Sequence, residues 1–151
     1  MAGESQTIVQ GAEGMNTTSV INEAIEAVIG MMNALAPFAT VTRGALPTGP
    51  GLSCELGPSN PQTVYLSKNS YLRLDLTMNG KHYNEKTLLD TMNDIHSHLS
   101  RARSYPEDAN ETRWQIVDIE NAMFPRIIGR EENNLWIAAS SMIVKLYWRG
   151  D

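Results

Sequence analysis

The chain has 151 residues, 42% hydrophobic and 19% charged, which favours one domain with a real core. Its net charge of −5 argues against general phosphate binding, which needs surplus Lys and Arg, though not against a local basic patch. One cysteine, Cys54, excludes an internal disulfide, no run reaches the roughly eighteen apolar residues of a membrane helix, and MAGESQTIVQGAEG lacks the regions of a signal peptide, so a soluble intracellular protein is expected.

Residues 1–16 hold Gly3, Gly11 and Gly14 without a sustained period and read as a flexible N-terminal arm, leaving 17–151 as a single domain. Thr18 or Ser19 can cap a first helix, its side-chain oxygen accepting from an orphan N–H. Ile21, Ile25, Val28, Met32 and Leu35 then recur at helical spacing, with Ala24 and Met31 widening the stripe. Pro37 ends it, because the residue before a proline avoids the α region. The spacing predicts a helix over 19–35.

Phe38 to Thr42 is short and rich in β-formers, a predicted strand. A long loop over 43–61 follows, punctuated by Gly44, Pro47, Gly49, Pro50, Gly51, Gly57, Pro58 and Pro61, with a candidate short strand at Leu52–Glu55. An irregular stretch of that length is either a partner contact or a passive exposed connection. Thr63–Leu66 reads as another short strand. Over Ser70–Met78, Leu72, Leu74, Leu76 and Met78 alternate with Tyr71, Arg73, Asp75 and Thr77, the pattern of a strand with one wet face. Asn79-Gly80 suits a tight turn. Asn84 can cap a second helix whose stripe is Leu88, Met92, Ile95 and Leu99, ending near Arg103 before Tyr105-Pro106. Trp114–Ile119 reads as a strand, Glu120–Arg130 as an irregular connector with Pro125 and Gly129, and Glu131–Asn134 as a turn.

The last stretch, Leu135 to Trp148, has no Gly or Pro and is mostly apolar on both alternating faces. At about 3.3 Å per residue it would span about 45 Å, beyond the usual strand. Such a strand wants cover on two sides, from a bend near Ser140-Ser141 or from a partner subunit. Consecutive strands flanked by two helices give an α+β fold: a mainly antiparallel sheet with two amphipathic helices packed on one face.

Catalytic and metal chemistry has little to stand on. His96 and His98 are two apart on a helix and diverge, so with His82 they suit a polar surface better than a zinc pair. Asp90 and Asp94 share a helix face and fit either acid–base work or plain solvation. Cys54 has no linked base, and no phosphate-loop, dinucleotide or nucleophile-elbow pattern occurs. Trp114, Trp136 and Trp148 fit either an interface set or the chain's own core.

Two stretches carry a family resemblance. SYLRLDLTMNGKHYNEKTLLDTMNDIHSHLSRA with its Tyr-Pro loop, and WQIVDIENAMFPRIIGREENNLWIAASSMIVKLYW, resemble the minor capsid proteins of long-tailed bacteriophages in the tail-terminator or tail-completion group, over roughly residues 18–150. The resemblance implies a non-enzymatic virion protein without cofactor. It would form a hexameric ring on the tail tube, end tube growth and join the tail to the head connector, with DNA passing through the bore unbound. Its implied partners are further copies of itself, the tube protein and the connector or stopper. A head-completion or stopper protein, or a tail-tube protein, is the alternative station, and a small hydrolase or nuclease the remaining one. The candidate subunit or tube contacts are Trp136, Leu146, Tyr147 and Trp148 on the final strand, and Arg43, Leu46 and Leu52 in the long loop.

Overall fold

The computed structural model describes residues 8–57, 62–66, 69–107 and 114–148. Two helices, α1 (Ile8–Asn33) and α2 (Glu85–Ser100), accompany six strands: β1 (Val41–Arg43), β2 (Gly51–Leu56), β3 (Gln62–Leu66), β4 (Asn69–His82), β5 (Trp114–Arg130) and β6 (Trp136–Trp148). The sheet order is β1-β2-β4-β6-β5, with β3 also paired to β4. Only β1–β2 is parallel. The expected α+β class holds.

β6 lies between β4 and β5 and pairs with both from end to end, from His82↔Trp136↔Arg130 to Ser70↔Trp148↔Trp114. Its length is matched by two neighbours at least as long, and it runs through Ser140-Ser141 in unbroken register with Met78 and Thr77 of β4. Directly paired residues point to the same face. One face stacks Leu72–Leu146–Ile116, Leu74–Val144–Ile119 and Leu76–Met142 in successive rows. These side chains are all buried, and they join Val20, Ala24, Ile25, Val28 and Met32 of α1 and Leu88, Met92, Ile95 and Leu99 of α2 in one core. The other face is half-open. Lys145 reaches across it to Glu120, Nζ to Oε2 at 2.9 Å, while Ile137, Ser141, Ile143 and Tyr147 are half-exposed.

Several expectations about local structure change, among them the strand expected over Phe38–Thr42, which is observed as β1 from Val41 to Arg43. The helix expected from Ser19 begins at Ile8, so residues 8–16 of the expected arm are helical, while 1–7 lie outside the described residues. Extending an existing helix adds a hydrogen bond per residue without a new nucleation cost, which outweighs Gly11 and Gly14. The helix stops at Asn33, two short of expectation, and Ala36 takes a left-handed φ of 52° before Pro37. In the 43–61 loop the candidate strand at Leu52–Glu55 is present as β2 over 51–56, where it buries Leu52 and Cys54, so the irregular part described before β2 is 44–50. Glu120–Arg130 is strand, not connector: β5 absorbs Pro125 and Gly129 in register shifts, four along its length.

Asn79-Gly80, expected as a turn, lies inside β4, paired to Ser53 and Leu52 on one side and to Ala139 and Ala138 on the other. Its glycine serves packing instead. A Cβ on Gly80 would sit 2.8 Å from Leu88 Cδ1, 2.9 Å from Leu52 Cδ2 and 3.0 Å from Met92 Sδ. The first two turns of α2 thus rest directly on the sheet backbone there. That helix begins as expected, with Asn84 Oδ1 accepting from Thr87 N–H at 2.9 Å.

Polar groups interrupt the core where α2 meets the sheet. His96 of α2 is 1% exposed. Its Nδ1–H donates to Asn121 Oδ1 at 2.8 Å, and the Ser140 hydroxyl donates to its Nε2 at 2.7 Å. The neutral ring satisfies both bonds. Burial holds this imidazole below its ordinary 6.5, with the Asn121 bond opposing only in part.

Two outcomes follow. Gly80→Ala overpacks the α2–sheet contact and should cost about 1–3 kcal/mol of stability, read by denaturant unfolding. For His96, the unfolded ring takes up a proton near 6.5 while the folded ring stays neutral. The unfolded state then binds more protons, so stability falls as pH drops below 6.5, by at most ~1.4 kcal/mol per pH unit. Glu120, held below its ordinary 4.5 by Lys145, loses its contribution only at lower pH. Melting at pH 7.5 and 5.5 should show the drop in the parent chain and a smaller drop in His96→Gln, itself less stable at pH 7.5 by about 1–3 kcal/mol.

Candidate functional site

Ser140, His96 and Asn121 have the connectivity of a nucleophile, a base and an orienting amide. A reaction also needs access, and here Ser140 is 0% and His96 1% exposed. The hydroxyl points into the α2–sheet interface, so the trio ties helix to sheet and does not meet a substrate. Asp90 is ion-paired to Lys86 at 2.6 Å one turn away, an exposed surface arrangement, and the Asp94 carbonyl accepts from His98 Nδ1 at 2.8 Å. Cys54 is buried, and desolvation pushes its thiol up to about 12, where the nucleophilic thiolate is absent at neutral pH. His96, expected on a polar helix face, is instead a core residue. Among the described residues no group of three or more His, Cys, Asp or Glu is placed to hold a metal, and no helix is long and apolar enough to cross a membrane.

The expected contact residues are scattered. Leu52 and Leu146 are fully buried in the chain's own core and have no surface to offer a partner; both lie on the helix-covered face of the sheet. Trp136 shares that face at its end, half-buried, with the Arg130 guanidinium 4.7 Å above its ring, a cation–π contact of about 0.5–1 kcal/mol. Tyr147 is half-exposed on the opposite face near the other end of β6. The side chain of Trp148 lies outside those described; its backbone pairs with Ser70 and Trp114. Trp114 is buried and donates its indole N–H to Glu23 Oε1 at 2.9 Å. Arg43 is exposed at the β1 edge, bonded to Asn22 Oδ1 at 2.8 Å and paired with Glu26 at 3.6 Å. Leu46 is half-exposed in the loop beside it.

The most exposed large hydrophobic side chain among the described residues, Phe124, was not among the expected contacts. It is 67% exposed, and Ile128 and Val117 on the same strand are 55% and 42% exposed. All three belong to β5, the last strand in the sheet order. Among the described residues, the backbone contact Ile116 N to Pro106 O, 3.0 Å, and the bridge Glu107↔Gln115 lie along its start. The segment FPRIIGR carries two arginines and no acid within a chain of net charge −5. Pro and Gly hid this strand, because both are depleted in strands except at edges and bulges; an edge with bulges is where they now stand.

No protein-family model and no curated protein matches this chain. Among solved structures, a chain of "Virion of native gene transfer agent (GTA) particle" superposes with a TM-score of 0.56 at 16% identity, over 81% of this chain and 92% of that one. At that identity the likeness is one of fold.

Proposed function

We propose that this chain is a non-enzymatic structural protein of a virion. It forms a ring, hexameric in the tail-terminator manner, at the top of a phage tail tube, ends tube polymerisation and joins the tail to the head connector. The observation that carries the proposal is the fold shared with a chain of the gene transfer agent virion across 92% of that chain. Three features support it. The sheet has two unlike edges, as a head-to-tail ring requires. The open face of β6 keeps half-exposed Ile137, Ile143 and Tyr147 for further cover. The one nucleophile–base geometry described is sealed in the core.

In this reading the partners are further copies of the chain, the tube protein and the head connector or stopper. The site of action is the neck of the virion, after assembly in the host cytoplasm. DNA passes through the bore without specific binding, which an acid excess favours because it repels the phosphate backbone.

The test is light scattering of the purified chain together with imaging of the particle. Closed rings, and density for this fold between tube and connector, are expected. Density repeating along the tail would make it a tube protein instead. A strict monomer at high concentration that never decorates tails would sink the proposal.

A further inference from the structure

We infer that the exposed part of β5, Phe124 to Ile128, docks on the β1 edge of a second copy, with Arg126 meeting Glu55 of that copy; this rests on the ring proposed above. Neither edge is built for strand addition. β5 carries four register shifts, and Pro125 has no N–H to give. At the opposite edge Asn33 occupies both main-chain groups of Val41, its Oδ1 accepting from the N–H at 2.7 Å and its Nδ2 donating to the carbonyl at 3.2 Å. Contact between sheets therefore goes through side chains.

Two β5 edges serve each other poorly. Isologous pairing centred on the exposed Phe124–Ile128 would bring Arg126 of one copy against Arg126 of the other, with no carboxylate from Asn121 to Arg130 to offset them. The β1 edge has the opposite balance: exposed Glu26 and Glu55 accompany Arg43, and Lys81, whose Nζ donates to the Pro47 carbonyl at 3.3 Å, is itself paired with Glu131 at 2.8 Å. It also presents the exposed Ala45 and the half-exposed Leu46 at the start of loop 44–50, which the Gly44 N–H to Cys54 carbonyl bond of 3.2 Å holds at the level between Ser53 and Glu55, an apolar seat for Phe124.

The register puts the two halves at the same height. Arg126 pairs with Ala139, Ala139 with Asn79, Asn79 with Ser53, and Ser53 with Thr42, so one row crosses the sheet from β5 to β1. Ser53 and Glu55 are two apart on β2 and share the open face with Arg126. When copies stand side by side with their sheets level, Arg126 arrives beside Thr42 and within one same-face step of Glu55.

Sedimentation of the full chain over a concentration range tests this. Phe124→Ser should weaken self-association roughly 30-fold, with monomer melting unchanged because the ring is exposed. Arg126→Glu and Glu55→Lys should each weaken it about 10-fold, and the double variant R126E/E55K should return to near the parent value. An oligomer unmoved by F124S and R126E overturns the docking and leaves the ring standing. Single variants that weaken without recovery in the double overturn the β1 edge as the seat. A parent chain that stays monomeric at high concentration overturns docking and ring together.

Discussion

Strand β6 is hydrogen-bonded along both sides, and the rest of the molecule is arranged around that fact. A strand in this position has no free backbone, so its side chains decide everything. Those on one face, from Ala138 to Leu146, form the floor of the core and are covered by both helices. Those on the other face are mostly half-exposed: Ile137, Ser141, Ile143 and Tyr147 keep part of their surface, and Lys145 among them reaches across to Glu120 of β5, Nζ to Oε2 at 2.9 Å. The asymmetry of cover makes one side of the sheet a fold and the other a surface.

Packing on the covered side has little slack. Gly80 lets α2 approach until Leu88, Leu52 and Met92 close around a position with no room for a methyl group. A turn further on, the same helix inserts His96 between Asn121 of β5 and Ser140 of β6. A buried polar group is tolerable only when its bonds are made, and it then favours one seating of the helix over its shifted neighbours. Close approach at one end and a directed polar tie at the other set both the height and the register of α2 on the sheet.

The two edges of the sheet are finished differently, and neither invites continuation of the ladder. Asn33 caps β1, while bulges and Pro125 roughen β5. Edges treated in this way keep the sheet from continuing into neighbouring chains, because unguarded strands would polymerise without limit. What remains at β5 is apolar and basic, and what remains at β1 is short, loop-flanked and mostly acidic.

Periodicity alone determined the elements whose pattern is local. The stripe Leu88, Met92, Ile95, Leu99 and its Asn84 cap, the alternation over Leu72–Met78, the long final strand and the turn at 131–134 are all legible in residue order, and so is the α+β class. Tertiary structure decided the rest. Asn79-Gly80 has the composition of a turn, yet pairing on both sides holds it in a strand, and only the arrival of α2 explains the glycine. FPRIIGR has the composition of a loop, yet edge position lets bulges absorb its Pro and Gly. Leu52 and Leu146 were candidates for contact until the sheet order turned them inward, and Phe124 was overlooked until the same order left it outside. The physical reason is common to all: composition reports what a backbone prefers, while exposure depends on which strand ends up beside which, and that is a property of pairing across distances that no short window contains.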